Sequence, residues 1–274
     1  SSAFHTWIGG ADNQSINPSN WSTGLTPSNN DNVEFGLLTS LATPANVMST
    51  SVFRNATFTS SGTTFGGSLG VLGNLGLATP LDFGGNMVSV SLAGRLTETG
   101  SNLASNGDFL SSRNINAPNN DNVAGFGATL TSSANLGTTM VKRSHTANTI
   151  GAFNSIKRSY EFTPATNTGL NASLVFSYDD SELNGNTEGA LRLIKSTNNG
   201  TSWALVTATH NAVANTFSVT GQNSLGLYTA FAYSAPTINL TAPANAAITQ
   251  SLTPTLTWSI TGGVSPFTST VVIA

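Results

Sequence analysis

The chain has 274 residues. Of these 38% are hydrophobic, enough for a folded core, and only 8% are charged, against roughly 25% in an average globular protein. Nine Lys and Arg against twelve Asp and Glu leave a net charge of -3, so there is no cationic footprint for a nucleic-acid partner. No apolar run approaches the roughly 18 residues of a membrane helix, and the absence of Cys excludes disulfides, thiolate metal sites and Cys nucleophiles.

The chain opens Ser1-Ser2-Ala3-Phe4, without a basic n-region or an apolar h-region, and the expectation is a secreted or cell-surface protein whose signal peptide has already been removed. Gly, Pro, Asn-Gly and Ser-Gly punctuate the sequence every ten or so residues, and helical periodicity is missing, which predicts an all-β fold. Residues 1–110 form a first block. Its segments Ser51–Thr59, Ser68–Leu77, Asn86–Thr97 and Gly107–Leu110 recur every 15 to 20 or so residues, about one coil of a parallel β-helix, with Asn and Gly at the corners. A β-solenoid is the favoured reading, and a plain β-sandwich competes with it.

Residues 111–234 form a second block with period-2 segments at the spacing of a β-sandwich: Ala128–Ser132, Thr138–Ser144, Ser155–Phe162, Asn171–Tyr178, Ala190–Ser196, Ser202–Thr209, Thr216–Thr220 and Gly226–Ala232. The doublets Lys142-Arg143 and Lys157-Arg158 read as exposed strand charges that discourage edge pairing. Residues 235–274 start with a Ser234-Ala235-Pro236 linker. They continue with a strand Thr253–Ser259 carrying Trp258 and a second strand Phe267–Ile273, resembling the first strands of an immunoglobulin-like or fibronectin type III domain. About 40 residues cannot close a sandwich of roughly seven strands, so an incomplete domain is expected, left by a cut chain or borrowing strands from a neighbour.

Two further stretches carry resemblances. Thr6-Trp7-Ile8-Gly9, Asn20-Trp21-Ser22-Thr23-Gly24 and Asp31-Asn32-Val33 resemble the W-x-G...N-W-S-x-G...D-x-V opening of solenoids in large surface proteins of Gram-negative bacteria. Residues 123–232 look like a module of secreted proteins of the Bacteroidota. The pieces that carry it include Gly125-Phe126-Gly127-Ala128, Arg143-Ser144-His145-Thr146, Ile156-Lys157-Arg158-Ser159-Tyr160 and Tyr178-Asp179-Asp180-Ser181-Glu182-Leu183. The resemblance implies a large secreted, often filamentous or adhesive protein, in a group that precedes immunoglobulin-like repeats and often a type IX secretion sorting domain. It supplies no catalytic residues.

The candidate sites are few. Asp179, Asp180, Glu182 and Asn184, closed by Gly185, are hard oxygen ligands on a tight loop and a candidate calcium site, weighed against a solvated turn with Glu182 folded back on it. No other cofactor is expected. Trp7 and Trp21 are candidate glycan contacts if exposed, and caps over an open solenoid core if buried. Ser196-Thr197-Asn198-Asn199-Gly200-Thr201-Ser202-Trp203 resembles an Asp-box turn with Asn at the Asp position, and it reads as a hairpin device. Gly66-Gly67-Ser68-Leu69-Gly70 matches G-x-S-x-G but lacks the following helix. His145 reads as a structural hydrogen-bonding group.

No enzyme is expected. The leading expectation is a structural extracellular protein, a subunit of a bacterial surface fibre, sheath or adhesin stalk. It would polymerise with itself or join other cell-surface proteins by β-strand complementation through Thr253, Leu256, Trp258, Val271 and Ile273. The alternative is a carbohydrate-binding accessory module with glycan partners.

Overall fold

The computed structural model describes residues 2–9, 11–36, 46–47, 51–91, 93–100, 104–151, 153–243, 253 and 255–262. The fold is all-β. The chain begins with β1 (Phe4–Thr6) and β2 (Asn32–Phe35) and then winds through short strands: β3 (Asn46–Val47), β4 (Ser51–Phe53), β5 (Asn55–Phe58), β6 (Thr64–Phe65), β7 (Leu69–Val71) and β8 (Leu75–Leu77). It continues through β9 (Leu81–Asp82), β10 (Met87–Val90), β11 (Leu96–Glu98), β12 (Ala104–Ser105) and β13 (Asp108–Asn116). Pairing is parallel on three faces: β1-β2-β5-β8-β11, β4-β7-β10-β13, and the short pairs β3-β6 and β9-β12. This is a three-sided solenoid. Leu69 sits beside Ser51 on one side and Val88 on the other, so a coil takes roughly 20 residues. The segments Ser51–Thr59, Ser68–Leu77 and Asn86–Thr97, each anticipated as one strand, contain two, bent at a corner, and Gly107–Leu110 leads into β13 alone.

The side chains explain the winding. Along each face alternate residues point inward, as in Leu69-Gly70-Val71 and Leu75-Gly76-Leu77. Inward residues stack coil on coil: Val33 on Ala56 on Leu75 on Leu96, and Phe53 on Val71 on Val90. The corner before β5, β8 and β11 is held by an asparagine ladder. The Asn55 amide donates to Asn32 Oδ1 (2.6 Å), Asn55 Oδ1 accepts from the Asn74 N–H (2.6 Å), and Asn74 Oδ1 accepts from the Arg95 N–H (3.0 Å). Beside it, Gly94 is obligatory, because a Cβ there would lie 1.9 Å from the Gly73 carbonyl oxygen.

The second half comprises β14 (Asp121–Asn122), β15 (Ala128–Thr131), β16 (Asn135–Ser144), β17 (Thr149–Ile150), β18 (Phe153–Asn154) and β19 (Ser159–Pro164). It then runs through β20 (Ala172–Ser177), β21 (Leu191–Ser196), β22 (Ala204–Leu205), β23 (Thr209–Asn211), β24 (Thr216–Gln222) and β25 (Leu227–Ala232). β13 continues past the division expected at residue 110 and pairs antiparallel with β16 from Asp108↔Ser144 to Asn116↔Asn135. One nine-stranded sheet therefore runs from the solenoid into the second half, in the order β22-β21-β25-β19-β16-β13-β10-β7-β4. A second sheet, β14-β15-β20-β24-β23, packs on it through Phe176, whose ring lies 4.9 Å from Tyr228 and 5.6 Å from Tyr160.

The core is continuous. One cluster of buried apolar side chains extends from Trp7 to Ala230. Within it an aromatic column runs Trp7, Trp21, Phe35, Phe58, Phe65, Phe83, Phe109, Phe126, with successive ring centroids 4.5 to 6.0 Å apart. Beyond the linker, β26 (Thr237–Ala242) and β27 (Thr257–Thr261) form an antiparallel hairpin. The sequence reading placed only the second of these strands. The expected strand over 267–273 lies outside the described residues.

Candidate functional site

The densest chemistry lies where the last coil meets the two sheets. Glu98 at the end of β11 receives two parallel hydrogen bonds from Arg143 on β16, Nη1 to Oε2 at 2.7 Å and Nη2 to Oε1 at 3.2 Å. Arg143 also donates from Nε to His145 Nε2 (3.2 Å). His145 Nε2 is therefore the acceptor and Nδ1 carries the proton, which it donates to Glu182 Oε1 (2.7 Å). Glu182 in turn receives Arg158 Nε (3.0 Å) and Nη2 (2.8 Å). Arg158 Nη1 donates to the Tyr160 hydroxyl (3.0 Å), which donates to the Ser177 carbonyl (2.8 Å) on the second sheet. The chain of contacts thus links the solenoid to both sheets.

Two carboxylates face two guanidinium groups around a neutral imidazole, so the buried charges cancel. Arg143 is 1% exposed, and Arg158, His145 and Glu182 are buried. Burial alone would raise the Glu182 carboxyl, but the His145 hydrogen bond and the Arg158 charge outweigh it and bring it down to about 2. Burial is likewise the largest influence on Glu98, and the charge and hydrogen bonds of Arg143 overcome it to hold the carboxyl below its usual range. His145 is pushed down to about 4, chiefly by burial and further by Arg143 and Arg158, against the pull of Glu182. Every polar atom of the imidazole is used, and such an arrangement positions elements rather than moves protons.

This changes two readings of the sequence. The Lys142-Arg143 and Lys157-Arg158 doublets do not guard sheet edges: β16 lies in the interior of the nine-stranded sheet, and Arg143 and Arg158 point inward. Lys142, 3.3 Å from Glu161, and the exposed Lys157 stay outside. The calcium reading also fails on geometry. Glu182 is spent on Arg158, His145 and the Asp179 N–H, closing a capping box on the turn Asp180–Glu182. Asp179 accepts from Ser181, Asp180 from the Asn215 amide, and Asn184 donates to the Ser155 carbonyl. Among the described residues no three His, Asp or Glu side chains stand together as a metal ligand set.

Trp7 and Trp21 are 2% and 1% exposed and meet edge to face at 5.3 Å over the first coil. They are caps, and the glycan reading at these positions is overturned because neither ring offers a face to solvent. The flanking motif residues serve the cap. Asn20 is fully buried, its Oδ1 accepting from the Ala11 N–H and its amide donating to Asp12 Oδ1 and the Gln14 carbonyl. Trp21 Nε1 donates to the Ser15 carbonyl (2.8 Å), and Ser22 Oγ accepts from the Thr6 N–H. His5 is buried beneath, with Nδ1 2.6 Å from Thr23 Oγ1 and Nε2 3.5 Å from Asp31 Oδ2.

The remaining motifs are structural. Asn198 ties its turn as an Asp-box acid would, its Oδ1 accepting from the Ser202 N–H (2.9 Å) and from the Ser196 hydroxyl (2.9 Å). Gly66–Gly70 spans the corner between β6 and β7, and a strand follows Ser68 instead of a helix. Of the expected assembly residues, Trp258 on β27 is 42% exposed, Leu256 is half-buried and Thr253 is exposed; Val271 and Ile273 lie outside the described residues. Among the described residues no helix is long and apolar enough to cross a membrane.

The interior void beside Tyr160, Phe176 and Tyr228 is about 20 Å³, room for one water. Larger clefts open on the surface: about 430 Å³ between Asp82, Asn106, His145 and Lys157, about 490 Å³ between Asn30, Arg54 and Asn74, and about 470 Å³ beside Trp203. Comparison with protein-family models, with curated proteins and with solved structures finds no match.

Proposed function

We propose that this chain is a structural extracellular protein: a stiff segment of a bacterial surface fibre, sheath or adhesin stalk that assembles with copies of itself. The observation that carries the reading is the nine-stranded sheet that passes from solenoid to sandwich without a break. A shared sheet, a shared core and a neutral buried ion network oppose bending at the junction, as a load-bearing spacer requires. The polar side chains at that junction are spent on one another, which supports a mechanical role over a catalytic one.

The hairpin β26–β27 supports self-assembly. Ile238 and Leu240 are 56% and 57% exposed, and they pair with Ile260 and Trp258. A two-stranded sheet is marginal alone and gains stability from a third strand or a covering layer. In this reading a second copy supplies that cover, and head-to-tail addition yields an open filament. Sedimentation across a concentration series tests it. Mass should rise with concentration for the wild type, and Trp258→Glu should hold the chain at its monomer mass. A wild type that stays monomeric at every concentration contradicts self-assembly.

A further inference from the structure

The hairpin β26–β27 is amphipathic. Ile238 and Leu240 lie on one face with their cross-strand partners Ile260 and Trp258. The other face carries Thr, Asn and Ser, and there the Thr241 and Thr257 hydroxyls meet at 2.9 Å. The apolar face is open to solvent at Ile238, Leu240 and Trp258. A second apolar surface lies at the other end of the fold, beside the buried Trp7–Trp21 cap. Ile16 and Leu25 are 59% and 65% exposed there. Thr26 Oγ1 donates to the Ile16 carbonyl (2.9 Å) and so joins the two segments that carry them. Trp21 Nε1 holds the Ser15 carbonyl, and Thr23 Oγ1 accepts from the Leu25 N–H (3.3 Å), so the surface stands on fixed backbone.

Charge makes the two surfaces compatible. The sequence has no Asp, Glu, Lys or Arg after Lys195, and among residues 1–30 the only one is Asp12. The Asp12 carboxylate is spent on the Asn17 and Asn20 amides and the Gln14 N–H. Contact between hairpin and cap therefore buries no unpaired ion. Topology makes the contact intermolecular. The cap belongs to the coil before β4, and β25, which leads into the hairpin, lies six strand spacings from β4. At about 4.8 Å per strand that is roughly 29 Å, with the cap farther still. Ile238 and Leu240 follow the end of β25 by six and eight residues. Fully extended chain of that length reaches at most about 21 and 28 Å, so the hairpin falls short of its own cap.

We infer that the apolar face of the hairpin docks on the Ile16–Leu25 surface of a second copy of this chain. The inference rests on the self-assembly proposed above and names the two sides of its contact. Such a contact is heterologous: each copy offers one hairpin and one cap. Joining two copies leaves one of each unfilled at the ends, so addition continues head to tail.

Mixing two variants tests it, with mass read by sedimentation beside the wild type. Leu25→Glu puts a charge on the cap surface and Trp258→Glu puts one on the hairpin. Both positions are exposed, and melting curves confirm that the variants are folded. An unpaired charge in the contact should weaken it at least about a hundredfold, so each variant alone should stay at monomer mass. Mixed in equal amounts they should form a dimer and stop there. The intact hairpin of the Leu25→Glu chain fits the intact cap of the Trp258→Glu chain, and the two remaining surfaces are spoiled. Ile16→Glu should behave as Leu25→Glu does. If the wild type assembles and both cap variants assemble equally well, this inference is overturned while self-assembly stands. Dimers of Leu25→Glu alone would mean that hairpins pair with one another, and they overturn it too, as does a mixture that stays monomeric. A wild type that is monomeric at every concentration removes the self-assembly reading and this inference together.

Discussion

Replacing Glu98 by Gln keeps the shape of the side chain and removes one charge from the junction. Arg143 then remains 1% exposed with its guanidinium facing a neutral amide. Removing one partner of a buried pair costs about 3–5 kcal/mol, because the other charge is left uncompensated. Glu98 is 15% exposed, which lets water offset part of this and places the cost near the low end, about 3 kcal/mol. At about 2.1 cal/mol/K per residue, a chain of this size should lose about 5 °C in Tm. The control is Glu161→Gln, which removes the partner of Lys142 from a pair that is 17% and 30% exposed. A partly solvated pair of this kind is worth about 0.2–1 kcal/mol, so its shift should be at most about 2 °C. Differential scanning calorimetry reads both. The solenoid and the sandwich share one sheet and one core, so a single transition should move as a whole. If Glu98→Gln shifts Tm no more than Glu161→Gln, the junction network does not hold the two halves together. If only one of two separate transitions moves, the shared sheet is not a cooperative unit.

Other consequences follow from the same contacts. His145 is held near 4 in the fold against an ordinary 6.5, so its contribution is complete above about pH 6.5 and is lost progressively as pH falls toward 4. Glu182, held near 2 against 4.5, extends the loss in the same direction below pH 4.5. Tm should therefore decline between pH 7 and pH 5, His145→Gln should flatten that slope, and a wild-type Tm constant over the range would refute the assignment. Trp21→Ala opens the solenoid cap and should cost about 3–5 kcal/mol in denaturant unfolding, the range for large aromatic truncations, and a loss below about 1 kcal/mol would mean the cap is not part of the core. Asn55→Ala removes one rung of the corner ladder, leaves the Asn74 N–H without its acceptor, and should cost about 1–3 kcal/mol; amide exchange at Asn74 that stays as slow as in the wild type would count against the ladder.

The solenoid was legible because its signals are local. Inward aliphatic residues in Leu69–Val71 and Leu75–Leu77, with Asn and Gly between them, recur once per coil. The corners inside each segment were not, since a bend at Arg54 or Gly73 looks like a continuing strand until the previous coil is present to clash with a Cβ. The sandwich strands were legible from period-2 alternation, yet β13 was cut at residue 110. Asp108–Asn116 alternates like its neighbours on both sides, and only the sense of pairing differs, parallel to β10 along one edge and antiparallel to β16 along the other. The junction network left no trace. Glu98 and Arg143 lie 45 positions apart, and a buried arginine beside an exposed lysine has the same local sequence as two surface charges. The aromatic column had a usable sign, a phenylalanine returning once per coil at Phe35, Phe58, Phe83 and Phe109. The two tryptophans in the opening motif could be read as either cap or platform, because direction depends on where the first coil turns.

The proposal that this chain is a structural polymer is tested most directly by electron microscopy of negatively stained, undenatured material. Long filaments of uniform width, lost in Trp258→Glu, are the predicted result. A field of separate particles, each the size of one 28.1 kDa chain at every concentration, would contradict it.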